Sequence, residues 1–323
     1  MAATEHNKEK TATVAVARCD NYQADNVKQA LARVFSLLSV ENLISRGDKV
    51  LLKPNFIAPK PKETAAQTDP AIILAVAQLV KDMGGKPFIG DSPAWGNVTA
   101  CIDALDLKEP LRRLSVPIKQ LNKPHHIKIA GTSIGISSVA LEADKIINLP
   151  KLKAHQQLIA TLAVKNMFGC VSGKKKAFFH FTKGKDPQEF CLMLLELYKT
   201  LNPIVTIIDS VVAMEAMGPL RGLPRPLGFI LGGQDPISCE AVCCKIINVA
   251  PEQMPMIQAA KTIGFGCENL DRINIVGDDY KNFVCRDFQI PPQVSLRFSF
   301  AHICRSIGKQ IITLAKTRGS DKT

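Results

Sequence analysis

Aromatic residues are scarce in this chain, 6% of 323 residues with one Trp and three Tyr. The basic segments therefore lack the interleaved rings on which bases stack, which argues against a nucleic-acid binder. No C-x-x-C occurs among the ten cysteines, which argues against a ferredoxin-type cluster or structural zinc ribbon formed by this chain alone. The cysteines lie scattered in apolar segments, as at Cys191, Cys243 and Cys304, which reads as reduced, buried thiols and not as a disulfide framework. No apolar stretch reaches the roughly 18 residues that a transmembrane helix requires, and no cationic n-region with an apolar run opens the chain. The expectation is a cytoplasmic protein with no transmembrane segment.

Acidic residues are also in the minority. Forty-one Lys and Arg against 29 Asp and Glu leave a formal charge of +12, which favours anionic partners without saying which. A hydrophobic content of 46% is enough for a large core in one α/β domain or in two lobes around a cleft.

Strand and helix patterns alternate along most of the chain. After a polar start (residues 1–10), residues 12–18 read as a β-branched strand and 24–38 as an amphipathic helix. Lys49 to Phe56 reads as a strand ending in Lys53-Pro54-Asn55, and Asp69-Pro70 opens a helix to about Met83. Lys86 to Gly90 is a strand stopping at Asp91, Asn97 caps a helix to Leu105, and Val116 to Leu121 is a further strand. Residues 126–140 suggest an antiparallel excursion around Gly131 and Gly135. A strand from Lys145 to His155 is expected to lead into a helix over Gln156 to Phe168, and Pro187 to Lys199 is a second helix. Strands at 204–208 and 227–231 are expected to end before Asp209 and Asp235, with a helix to Val249 after the second. Ile273 to Val276 closes the domain, which spans residues 11–292. In the tail, 293–323, the apolar positions Phe300, Ile303, Ile307, Ile311 and Leu314 recur at helical spacing opposite Arg305, Lys309 and Lys316. That basic amphipathic helix suits packing on its own domain or on a second subunit, or docking to a membrane surface or partner. The implied fold is a doubly wound α/β protein with a mainly parallel sheet.

Ligands in such sheets bind beyond the carboxyl ends of the strands. Lys53, Asn55, Asp91, Lys153, His155, Asp209 and Asp235 can therefore line one crevice although far apart in sequence. Period-two alternation places Lys151, Lys153 and His155 on one side of their strand, and such a row of cations calls for a carboxylate or phosphate between them. His155 is the best general acid/base, because neighbouring ammoniums disfavour its charged form; a histidine simply bonded at a strand end is the alternative. Lys165, inside an expected apolar helix, either snorkels outward or serves the site. Asn166 either donates to a substrate oxygen or caps a helix. Ser172-Gly173-Lys174 belongs to a basic loop that fails the phosphate-loop pattern in spacing and context, yet could close over an anion. Asp91, Asp209 and Asp235 are acid/base candidates or helix caps, and Glu215 is a further possible base. His125-His126 points to opposite sides of a strand and makes a poor metal pair, and Cys239, Cys243 and Cys244 read as a buried helix face, so no metal site is expected.

Four of these features together resemble the DUF362 family: Lys53-Pro54-Asn55, Gly90-Asp91-Ser92, the Asn148 to His155 segment Asn-Leu-Pro-Lys-Leu-Lys-Ala-His, and Lys165-Asn166-Met167-Phe168-Gly169. The resemblance extends over about Val50 to Gly277. It implies the α/β fold and the place of the site; the family's reactions are mostly unassigned, so it leaves the cofactor open. Many relatives resemble iron-sulfur proteins through cysteine runs that this chain lacks. Where the family tends to show Glu-Gly-Asn-Gly-Pro, this chain has Glu215-Ala216-Met217-Gly218-Pro219, and Glu240 stands where an Asp is expected. A weaker likeness is to the lactate racemase family, in which a His and a Gly-rich Lys loop hold a nickel-pincer nucleotide; His155 and Ser172-Gly173-Lys174 occupy loosely similar positions.

The expected function is an enzyme that moves a proton on a small carboxylated or phosphorylated metabolite, of isomerase, lyase or cofactor-dependent oxidoreductase type. His155, Lys165, Asp91 and Asp209 would be catalytic; Lys53, Asn55, Lys151, Lys153, Asn166, Ser172, Gly173 and Lys174 would bind substrate. The alternative is a non-catalytic scaffold that recruits an acidic or redox partner through its basic face, and a homo-oligomer is compatible with both.

Overall fold

The computed structural model describes residues 12–172 and 187–293. Gly173, Lys174 and the rest of their loop, the polar N-terminus and the amphipathic tail segment lie outside the described residues.

The strands are β1 (Ala12–Arg18), β2 (Lys49–Pro54), β3 (Lys86–Asp91), β4 (Ile118–Gln120), β5 (Pro124–Ile129), β6 (Thr132–Ser137), β7 (Lys145–Leu149), β8 (Lys151–His155), β9 (Ile159–Thr161), β10 (Val205–Glu215), β11 (Leu223–Gly233) and β12 (Ile273–Gly277). The helices are α1 (Ala24–Leu37), α2 (Pro70–Asp82), α3 (Val98–Ala104), α4 (Lys108–Arg113), α5 (Ser138–Leu141), α6 (Ala163–Asn166), α7 (Pro187–Leu201), α8 (Pro236–Ile246) and α9 (Pro255–Thr262). One large sheet runs in the order β12-β1-β11-β10-β7-β2-β3-β4, and β8 and β9 extend it from β10. Its pairings are parallel except those of β11 with β1 and β10, and of β9 with β8.

Alternate strand residues feed two separate cores, which makes the fold doubly wound. On one face Val50, Leu52, Ile147, Val205 and Ile207 meet Val27, Leu31, Val34 and Phe35 of α1 and Ile72, Ile73, Val76 and Val80 of α2. On the other, Leu51, Leu152, Ala154 and Ile208 meet α7, α8 and α9 through Phe190, Leu194, Val242 and Ile257. The helix starts carry the expected signals: Asp69 and Asn97 accept from Ala71 N and Ala100 N, and proline follows Asp69 at the first helical position.

Four expectations fail. Residues 156–168 are not one helix. The backbone turns at 156–158 and returns as β9, pairing Lys153 with Thr161, because β8 needs a partner on that edge and tertiary pairing overrides helix propensity. The strand expected from Lys145 to His155 breaks at Pro150, which supplies no N–H. Both halves still pair with β10, and Pro150 O accepts from Asp209 N at 2.9 Å. β10 does not stop at Asp209 but runs to Glu215, since β8 and β11 flank its second half. Finally, β11 is antiparallel, so its end at Gly233 pairs with Thr206 at the start of β10. Asp235 therefore lies at the edge of the sheet opposite the crevice and caps α8.

Candidate functional site

The carboxyl ends of β2, β3 and β7 meet the first half of β8, and there the chain buries lysines. Exposure is 0% for Lys53, 2% for Lys151 and 1% for Lys153. Such groups persist only when each N–H finds a partner.

Two of these lysines form internal ion pairs. Lys53 Nζ is 3.0 Å from Asp91 Oδ1 and donates to Pro54 O at 2.6 Å. Asp91 also accepts from the backbone N–H groups of Ser92 and Phe56. Lys151 Nζ donates to Asp209 Oδ2 at 2.9 Å and to the Tyr22 hydroxyl at 2.6 Å. Tyr22 in turn donates to Asp209 Oδ1 at 2.8 Å, and its oxygen also accepts from Val212 N. Asp209 Oδ2 further accepts from Asp69 N, so the carboxylate ties β10, β8 and the start of α2 together. Burial beside Asp209 raises the Asp69 carboxyl to about 6.

The third, Lys153, and the neighbouring Lys165 have no carboxylate partner among the described residues. Lys153 Nζ donates to Asn55 Oδ1 and, at 2.8 Å, to Ala66 O. Burial, then the neighbouring Lys165 and Lys151 cations, hold its pKa well below the usual lysine value, with Asp91 opposing. Lys165 lies in α6, partly exposed at its surface yet packed densely enough that desolvation lowers it to about 8. Its Nζ is 2.9 Å from His155 Nε2, and His155 Nδ1 accepts from Gln157 N at 3.1 Å.

An amide chain fastens these groups. Asn55 Nδ2 donates to Asn166 Oδ1, Asn166 Nδ2 donates to Lys53 O and Asn148 Oδ1, and Asn148 Nδ2 donates to Ala163 O and Thr206 Oγ1. Asn166 is thus engaged at both ends and serves as a brace, not as a helix cap. Gly169 packs on the Lys53–Asp91 pair, where a Cβ would collide with Asp91 Oδ1 and Lys53 Cε.

Lys53, Asn55, Asp91, Lys153 and Asn166 are bonded together, Lys151 with Asp209 and Lys165 with His155 form separate bonded groups, and Lys153 interacts electrostatically with both Lys151 and Lys165. Ser172 does not; its N–H and hydroxyl both face Gly135 O in β6. Glu215 is held by Gln289 N and lies 3.7 Å from Arg225. His125 and His126 are exposed on β5, and Cys239, Cys243 and Cys244 are buried in α8. Sequence reasoning missed Tyr22, which bridges Lys151 and Asp209; scarcity of tyrosine is the only signal that marks it. It noted Glu240 only as a departure from an expected Asp; the carboxylate accepts from Val164 N at 2.9 Å at the start of α6 and is raised by burial to about 7. Among the described residues no three His, Cys, Asp or Glu side chains converge so as to hold a metal ion.

A groove of about 670 Å³ opens between α1 and α2 and reaches the cluster at Tyr22, Asp69 and Lys151. Small and apolar residues, among them Ala24, Ala71, Ala75 and Leu79, line its walls. Among the described residues no helix is long and apolar enough to cross a membrane.

The family model described as "Domain of unknown function (DUF362)" matches residues 50–245. A curated relative, "Thylakoid-associated protein sll1697" of Synechocystis sp. (strain ATCC 27184 / PCC 6803 / Kazusa), is 36% identical over 255 residues, covering 78% of this chain and 79% of the relative. Among solved structures, the lactate racemase apoprotein from Thermoanaerobacterium thermosaccharolyticum matches with a TM-score of 0.47 at 14% identity. The match covers 75% of this chain and 59% of that protein.

Proposed function

The chain belongs to the DUF362 family, and we propose that it is an enzyme that moves a proton on a small carboxylated or phosphorylated metabolite. One observation carries the reading: Lys53 and Lys151 each have a buried aspartate, whereas Lys153 and Lys165, beside His155, have no carboxylate among the described residues. A buried cation left uncompensated is destabilising, and an anionic guest offsets Lys153. In this reading Lys153 holds the anion and stabilises negative charge that develops in the transition state, and His155 with Lys165 exchanges the proton. Asp91 and Asp209 position Lys53 and Lys151, so they act through the lysines and do not touch substrate.

The test is hydrogen-deuterium exchange at carbon, followed by NMR in D2O, across a panel of small 2-hydroxy, 2-oxo and phosphorylated acids. Exchange of at least one compound is expected, together with its loss in His155→Ala while that variant still binds the compound. Exchange indifferent to His155→Ala would sink the reading.

A second reading rests on the +12 charge and on the relative named a thylakoid-associated protein. A scaffold would recruit an acidic partner or an anionic membrane surface through its basic face. Its binding would fall with salt and with lysine neutralisation, and would ignore His155→Ala.

A further inference from the structure

His155 Nδ1 accepts the Gln157 N–H, and that bond determines what Lys165 can be. A ring nitrogen that accepts carries no proton, so the imidazole proton sits on Nε2. Nε2–H then faces Lys165 Nζ at 2.9 Å as a donor. An ammonium offers three donors and no acceptor, so this contact is a hydrogen bond only when Lys165 is a free amine. An imidazolium fails as well, because its Nδ1–H would point at the Gln157 N–H. Desolvation acts in the same direction, lowering Lys165 to about 8. Of the four lysines in the cluster, Lys165 is the only one that is not buried.

The amine of this partly exposed lysine, held by a proton-bearing imidazole and next to Lys153, is equipped to attack a carbonyl carbon. Lys153, which has no carboxylate partner among the described residues, supplies the site for an anionic group on the same molecule. We propose that Lys165 condenses with a carbonyl compound carrying a nearby carboxylate, a 2-oxo acid, to form an imine. This inference rests on the anion-binding reading above and names its substrate class. The Nζ–C bond forms, the C=O bond breaks, and the oxygen leaves as water with both amine hydrogens, His155 relaying the proton from nitrogen to oxygen. No oxidant or reductant is consumed. The imine nitrogen then takes up one proton from solvent, and the resulting iminium withdraws electrons from the adjacent carbon, which makes its C–H easier to deprotonate.

The experiment uses the full chain with pyruvate and, separately, glyoxylate as probes, sodium borohydride as the trapping hydride donor, and peptide mapping by mass spectrometry. The expected result is a reduced adduct on the Lys165 peptide, with trapping half-maximal near pH 8 and at least tenfold weaker in Lys153→Met at equal probe concentration. Acetone, which lacks the carboxylate, should trap at least tenfold less than pyruvate. Lys165→Arg and Lys165→Met, each checked for a wild-type circular dichroism spectrum, should leave no adduct at that position. Adduct spread evenly over surface lysines, or no adduct with either probe, overturns the imine. If the imine fails while His155→Ala still abolishes carbon-bound exchange, proton transfer on an anion stands without it. If exchange is absent too, the parent reading has failed.

Discussion

Gly169 presses its α-carbon against the Asp91 carboxylate, so closely that a methyl group in place of hydrogen would overlap both Asp91 Oδ1 and the end of Lys53. The Lys53–Asp91 pair is almost completely buried, and the same backbone carbonyl of Gly169 accepts from Ser92 N at 3.0 Å. There is thus little room for relaxation on either side.

Gly169→Ala should therefore destabilise the fold by about 1–3 kcal/mol, the usual penalty of overpacking. Urea unfolding monitored by circular dichroism measures it. A stability equal to wild type would show that the Lys53 ammonium can move aside freely.

The Lys151–Asp209–Tyr22 triangle makes a graded prediction. Asp209→Ala strips Lys151 of its counter-charge in a buried site and should destabilise by about 3–5 kcal/mol. Tyr22→Phe removes one bond to each partner and should lose about 1–3 kcal/mol. Chemical denaturation of both variants checks the order, and a Tyr22→Phe loss as large as that of Asp209→Ala would contradict it.

Where elements are long and regular, the fold could be read directly from sequence. The Asp69-Pro70 start of α2 and the Asn97 cap of α3 follow from local chemistry within a few residues. So does the alternation that sends Leu152 and Ala154 to one core and Lys151 and Lys153 away from it. The meeting of Lys153 with Asn55 and of Lys53 with Asp91 was legible too, because strand ends of a parallel sheet share one edge. What stayed hidden depends on partners distant in sequence. Nothing near Gln156 announces that β8 will recruit residues 159–161 as its neighbour. Nothing near Leu227 says that β11 runs antiparallel and carries Asp235 to the far edge. The pairing of Lys151 and Lys53 with aspartates, which leaves Lys153 and Lys165 as the exceptional lysines, is likewise a property of the assembled sheet.

Glu240 gives a pH dependence of definite sign. Its carboxyl is raised from the usual 4.5 to about 7 by burial, with the Val164 N–H opposing. Between those values the folded state holds a proton that the unfolded chain has released, so stability falls as pH rises from about 4.5 to 7. The loss is on the order of 3 kcal/mol at most. Glu240→Gln keeps an oxygen for Val164 N–H and removes the titration, so its stability should vary less over that window than wild type. Denaturation midpoints at pH 4.5, 5.5 and 7 for both proteins decide it.

Lys165 and Lys153 give the opposite slope. Both are held below the usual lysine value of 10.5, Lys165 at about 8 and Lys153 well below it, in each case chiefly by desolvation. Above the folded pKa of either lysine and below 10.5, the unfolded chain binds a proton that the folded one does not, so stability rises with pH and the rise is complete only above 10.5. The buried cysteines and Tyr22 also titrate late, so the wild-type curve alone is not diagnostic. The difference between wild type and Lys165→Met isolates one lysine. From pH 8 to 10 the wild type should gain stability relative to that variant, and Lys153→Met should lack part of the gain as well. A difference that stays flat across this interval would mean that Lys165 is an ordinary ammonium and that the hydrogen bond it accepts from His155 does not form.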